Sequence, residues 1–300
     1  MAVFLSSICW KFKLSCKKAD GEEFIVKYVR DQEWLLKNLH DQTIRIVDCR
    51  FSLAQPEKGK REYLAGHLPG AVFFDLEKDL SGPVEKHGGR HPLPDMKEFV
   101  SKLEAQGIDE TKTVVAYDGG EGSYAARFWW LLHYLGHEKV FVLDGGYQEW
   151  MDAGLPITTE TPVFSSTIFQ ISLRPEILAE MTEVKAVAEG KNRNAVLIDS
   201  REEKRYLGVE EPIDKKAGHI PAAINKPWMK GMEGGRYKAA DLQKERFRDV
   251  SFDQEVIVYC GSGVTACPNF LVLKEAGYEK VKLYIGSFSD WISYEDNKIQ

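Results

Sequence analysis

Val256-Ile257-Val258-Tyr259-Cys260-Gly261-Ser262-Gly263-Val264-Thr265-Ala266-Cys267-Pro268 is the stretch on which the fold turns. Four apolar residues stop at a small polar loop, which reads as a buried parallel strand reaching its carboxyl end. Two glycines let the loop curl, and Pro268 suits the first turn of a helix, where its missing N–H is not needed. Strand, glycine loop and helix in succession predict an α/β sheet whose reactive groups gather beyond the strand ends.

The same grammar occurs earlier in the chain. Val114-Val115-Ala116-Tyr117-Asp118 matches residues 256–260, with Asp118 in the place of Cys260. Ile46-Val47-Asp48-Cys49-Arg50 is echoed by Leu197-Ile198-Asp199-Ser200-Arg201, and Gly66-His67-Leu68-Pro69 by Gly218-His219-Ile220-Pro221. Gly136-His137-Glu138-Lys139-Val140 pairs with Gly277-Tyr278-Glu279-Lys280-Val281, and Trp150 with Trp291. Order is preserved and spacing drifts only as loop-length changes require, so the chain is a duplicated domain. Helical spacing over 125–135 and 269–276 ends at Gly136 and Gly277, where a left-handed C-terminal residue is expected. The stretch 155–175 has three prolines and no helical period. We therefore expect an extension over 1–24, a first domain over 25–155, a linker over 156–175 and a second domain over 176–300, each domain a mostly parallel sheet flanked by helices.

Composition agrees with this and excludes other classes. Forty basic against 46 acidic residues in 300 leave a net charge of −6, whereas nucleic-acid binders need a basic excess. Forty-three per cent hydrophobic and 29% charged residues describe a globular chain, and no apolar run reaches membrane-span length. Five scattered cysteines (9, 16, 49, 260, 267) make no disulfide scaffold and predict free thiols in a reducing compartment, the cytoplasm. Residues 1–19 hold lysines and serines but no acids, a pattern faintly like a transit peptide; an extension is the preferred reading.

Cys260 stands out as a nucleophile. Successive N–H groups of a curled glycine loop, with the positive end of the following helix dipole, favour an anion at its sulfur. Arg50 and Arg201, and likewise His67 and His219, recur in both copies and are expected to keep the fold. Asp118 puts a carboxylate where the second copy has a thiol, so the first domain should be catalytically silent. Position 266 is alanine, which removes the Cys-x5-Arg loop of cysteine phosphatases, and Gly261-Ser262-Gly263 lacks the serine hydrolase elbow. No metal-ligand spacing or nucleotide loop is present in the sequence, so no metal or organic cofactor is implied.

Cys260-Gly261-Ser262-Gly263-Val264-Thr265-Ala266, the two Gly-His-(Leu/Ile)-Pro copies and the duplication closely resemble the tandem-domain rhodanese family of sulfurtransferases, over about residues 25–295. The resemblance implies a ping-pong reaction through a Cys260 persulfide, cradled by Gly261, Gly263, Val264 and Thr265. The sulfur would come from 3-mercaptopyruvate or thiosulfate and pass to a thiol, such as thioredoxin, or to cyanide. It implies that Arg205 holds the anionic donor, and that Ser262, His91 and an acid form a polar relay. Glu77 is the matching acid, with Asp75 or Asp79 as alternatives because the usual acid is aspartate. Thiosulfate-type members place Arg and Lys after the cysteine, so neutral Gly261 and Ser262 favour mercaptopyruvate. Ile213 stands where such enzymes often have a second arginine, with Lys215 or Lys216 as possible substitutes. Cys267 is expected to be a packed helix cysteine rather than a resolving thiol. The rival reading is a non-catalytic sulfur-carrier or protein-binding module.

Overall fold

The computed structural model describes residues 28–300; the extension assigned to 1–24 lies outside them. In the first domain, β1 (Val29–Arg30), β2 (Ile44–Asp48), β3 (Ala71–Phe73), β4 (Thr113–Tyr117) and β5 (Val140–Leu143) form a parallel sheet in the order β1-β5-β4-β2-β3. In the second, β6 (Ala195–Asp199), β7 (Ile224–Asn225), β10 (Glu255–Tyr259) and β11 (Val281–Leu283) form a parallel sheet in the order β11-β10-β6-β7. A small antiparallel hairpin, β8 (Met232–Glu233) and β9 (Arg236–Tyr237), interrupts the second copy. Strand β2 is buried at every position, as expected of a central strand covered on both faces.

Helices α1 (Gln32–Lys37), α2 (Lys58–Ala65), α3 (Met96–Ala105), α4 (Ser123–Tyr134) and α5 (Gly146–Asp152) flank the first sheet. Helices α6 (Met181–Ala188), α7 (Glu203–Tyr206), α8 (Ala240–Arg246), α9 (Cys267–Glu275) and α10 (Ser287–Trp291) flank the second. Two of them join the copies. α4 buries eleven of its twelve residues and α9 buries 267 through 273 without a break. A helix apolar on every side needs protein around it, and these two pack on each other. Trp129 and Trp130 meet Phe270 at centroid distances of 6.0 and 6.4 Å, and one core runs through both domains. The loops preceding α4 and α9, the two copies of the glycine loop, are thereby brought to a shared interface.

The recurring polar residues do matching structural work. Arg50 Nη2 reaches Asp48 Oδ2 at 2.6 Å and donates to Gly66 O at 2.7 Å; Arg201 Nη2 reaches Asp199 Oδ2 at 2.6 Å and donates to Gly218 O at 2.8 Å. His67 stacks on Tyr63 and His219 on Tyr206, with centroids 3.9 and 3.8 Å apart. Gly136 and Gly277 have φ of 92° and 96°, the left-handed geometry their positions anticipated. The segment 156–175 crosses the first domain as a strap, exchanging backbone hydrogen bonds between Thr158 and His67 and donating from Ser172 N to Leu135 O.

Candidate active site

Cys260 follows the last residue of β10 and is 1% exposed. Its carbonyl accepts from Phe288 N, and that of Gly261 from Ser289 N, so α10 holds the start of the loop in place. Gly263 has φ of 75°, and its N–H turns inward to the Cys260 sulfur at 3.2 Å. A side chain there would strike Ile285 O at 2.1 Å. Glycine is thus required twice over, for its dihedral and for the close approach. Ser287 lies below: its Oγ accepts from Cys260 N at 3.1 Å and stands 3.9 Å from the sulfur. Ser287 has φ of 55°, a left-handed conformation uncommon for a residue with a side chain. The corresponding residue of the first domain is Gly146, with φ of 57°.

The first domain shows what this loop is shaped to hold. The Asp118 carboxylate, buried, accepts four main-chain N–H groups: Gly120 at 3.1 Å and Gly122 at 2.9 Å on Oδ1, Tyr124 at 3.0 Å and Ala125 at 3.1 Å on Oδ2. Counting back from Gly136 and Gly277 aligns Gly122 with Gly263, Tyr124 with Thr265 and Ala125 with Ala266. In one copy the loop clasps a carboxylate; in the other, its counterpart amide points at a sulfur. Burial raises the Asp118 pKa, and the inward main-chain amides oppose that shift.

The polar groups come from both domains. His91 Nδ1 lies 2.8 Å from Ser262 Oγ, with both residues buried. Burial, with Arg127 and Arg90 nearby, pushes the His91 pKa down to about 3, so it is neutral at physiological pH. Glu77 does not join this pair. Its side chain is exposed, because it sits in a turn where its N–H donates to Asp75 Oδ1 at 2.9 Å. Asp75 is spent capping that turn and Asp79 pairs with Lys102, so neither alternative acid reaches His91. Among the described residues no carboxylate is hydrogen-bonded to His91, whose ring contact is with Ser262. Arg205 donates to Glu211 Oε1 at 2.8 Å and Asp214 Oδ2 at 2.9 Å. Lys215 and Lys216 are exposed, as is Ile213. Cys267 is fully buried, its thiol donating to Gly263 O at 3.3 Å, and burial pushes its pKa up.

Three contributors escaped the sequence analysis. Ser287 has no motif around it. Arg90 carries no motif of its own, yet its guanidinium pairs with Asp214 across the domain boundary. Arg127, fully buried in α4, donates to Gly263 O at 3.0 Å, Leu80 O at 3.0 Å, and His91 O and Pro92 O at 3.1 Å. The signal for Arg127 was present: an arginine inside an otherwise apolar helical run must find several acceptors.

The sequence model of the rhodanese-like domain matches residues 31–153 and again 181–294. The chain belongs to the rhodanese family. A probable 3-mercaptopyruvate sulfurtransferase of Pseudomonas aeruginosa is 40% identical over 265 residues, 86% of this chain and 93% of that one. The thiosulfate sulfurtransferase of Cricetulus griseus is 33% identical over 86% of this chain and 90% of its own length. The crystal structure of SseA from Escherichia coli, a 3-mercaptopyruvate sulfotransferase with the rhodanese fold, superposes with a TM-score of 0.78 at 33% identity. It covers 88% of this chain and 99% of that one. The chain is accordingly a sulfurtransferase, acting between a sulfur donor and a thiol acceptor. Among the described residues, no helix is long and apolar enough to cross a membrane.

Proposed function

We propose that the chain moves sulfur from 3-mercaptopyruvate through a persulfide on Cys260, and that thiosulfate is a secondary donor. The observation that carries this reading is the Gly263 N–H aimed at the Cys260 sulfur, in a loop whose twin clasps a carboxylate. The Cys260 thiolate attacks the donor sulfur; the carbon–sulfur bond breaks and its electron pair, with a proton, leaves as pyruvate. The outer sulfur of the resulting Cys–S–S⁻ is cradled by the amides of Gly261 to Ala266, two of which, Thr265 and Ala266, match the residues that hold Asp118 Oδ2. An acceptor thiolate then takes that outer sulfur, restoring the Cys260 thiolate. Thioredoxin-like protein thiols and cyanide suit this second step, because the outer sulfur is electrophilic and the inner one is the leaving group. Ser262 and neutral His91 relay the proton, Arg205 draws in the anionic donor, and the first domain is silent because Asp118 fills its own cradle. Neutral Gly261 and Ser262, and the higher identity to a probable 3-mercaptopyruvate sulfurtransferase (40%) than to a thiosulfate sulfurtransferase (33%), favour the keto acid. The unpaired Cys49, Cys260 and Cys267 suit a reducing, cytoplasmic setting.

The test is direct. Protein incubated with 3-mercaptopyruvate or thiosulfate alone should gain the mass of one sulfur atom on Cys260, and addition of cyanide should release it as thiocyanate. Comparison of kcat/KM for the two donors ranks them. Wild-type turnover by Cys260→Ser overturns the mechanism; the rival docking-module reading gains if no donor labels Cys260.

A further inference from the structure

We propose that Arg90, carried by the first domain, is a donor-binding residue that places its guanidinium where a basic side chain at position 261 would otherwise stand. The inference rests on the sulfur-transfer reading and deepens it by naming what holds the donor's acid group. Arg90 ends the Gly88-Gly89 turn, and that turn is seated on the second domain. Gly88 N donates to Asp290 Oδ1 at 2.7 Å and Arg90 N to Ser289 Oγ at 3.1 Å. Gly89 has φ of 82° and approaches Gly286 so closely that a Cβ would lie 2.3 Å from its carbonyl oxygen. The Arg90 backbone is therefore located by three contacts before its side chain extends.

The guanidinium then reaches the nucleophile loop. Nη1 pairs with Asp214 Oδ1, while Arg205 Nη2 binds the other oxygen, Oδ2, at 2.9 Å. A Cβ on Gly261 would stand 2.9 Å from Arg90 Nη2 and 3.4 Å from Arg205 Nη2. Two guanidiniums from different domains thus converge over the residue next to Cys260, joined by one carboxylate. Burial lowers the pKa of Arg90, and Cys260 is the leading group that opposes this. A small donor with an acid group beside its transferable sulfur, a 2-oxo carboxylate or a thiosulfonate, matches this spacing. Its sulfur faces Cys260 and its acid oxygens exchange with Asp214 on the paired cations. The absence of an arginine at 213, where Ile213 is exposed, is made good from the opposite domain.

Steady-state kinetics with 3-mercaptopyruvate and with thiosulfate should be compared for wild type, Arg90→Ala, Arg90→Gln and the pair Arg90→Ala with Gly261→Arg. The glutamine keeps a hydrogen bond to Asp214 without the charge. Both single variants should raise KM about 10- to 100-fold while kcat stays within a few-fold; the double variant should recover part of the loss, because arginine at 261 enters the vacated space. Alkylation of Cys260 gives a readout independent of turnover. The rate ratio of anionic iodoacetate to neutral iodoacetamide should fall in both single variants. Unchanged KM and an unchanged ratio would reduce Arg90 to an interdomain brace and overturn the proposal. Should the wild type transfer no sulfur from either donor, the functional reading fails, and the alkylation ratio still decides whether Arg90 acts on anions at Cys260.

Discussion

At the scale of single residues, the second domain differs from the first where chemistry demands it. Ser287 keeps a left-handed conformation that Gly146 adopts without strain, and its hydroxyl supports the backbone of Cys260. Ser287→Gly relieves the strained dihedral but removes the acceptor of Cys260 N and the donor to Tyr284 O, so stability should change by no more than about 1–2 kcal/mol while kcat falls on the order of tenfold. Thermal melts and thiocyanate release, measured together, separate the two effects. His91 predicts a pH behaviour with a definite sign. Its folded pKa, pushed down to about 3 by burial and two arginines, lies below the ordinary imidazole value. The unfolded chain therefore binds more protons between about pH 3 and 6.5, and stability falls as pH drops through that window. Denaturant titrations at pH 7 and pH 4.5 should show a smaller loss for His91→Gln than for wild type. No His91 ionisation should enter the kcat profile near neutrality.

At the scale of elements, the strand–loop–helix unit turns main-chain amides toward the strand end in both copies, four of them to Asp118 and that of Gly263 to the Cys260 sulfur. Asp118→Ala would leave four inward amides without an acceptor, at a cost of about 2–4 kcal/mol. Asp118→Asn, which keeps one carbonyl oxygen, should cost less; urea unfolding of both variants checks the order. Cys267, by contrast, is a packed residue of α9. Cys267→Ser should leave persulfide formation on Cys260 intact, with destabilisation of about 1 kcal/mol from the buried hydroxyl.

For the whole molecule, the first domain places Arg90, His91 and Arg127 against residues of the second domain's glycine loop and its neighbours. Arg127 ties Gly263 to the carbonyls of Leu80, His91 and Pro92 through one buried guanidinium, its pKa lowered to about 10 by burial yet still cationic at neutral pH. Arg127→Met should destabilise the protein by about 3–5 kcal/mol, because buried carbonyls on two domains lose their donor. Its folded fraction should also turn over slowly, since the Ser262–His91 distance is no longer held. A chemical melt followed by activity at low temperature distinguishes the two losses.

Much of this was written along the chain. Periodicity and the internal repeat determined two parallel α/β units, the placement of Cys260 after a buried strand, and the structural duty of Arg50, Arg201, His67 and His219, because each depends on residues close in sequence or repeated at matching places. The pairing of His91 with Ser262 followed from resemblance alone. The exclusion of Glu77, the reach of Arg90, the buried fork of Arg127 and the support from Ser287 were decided only by tertiary structure. These interactions join segments far apart in the chain, and nothing local constrains how two domains dock. That was settled by the burial of α4 against α9, which no single stretch of sequence encodes.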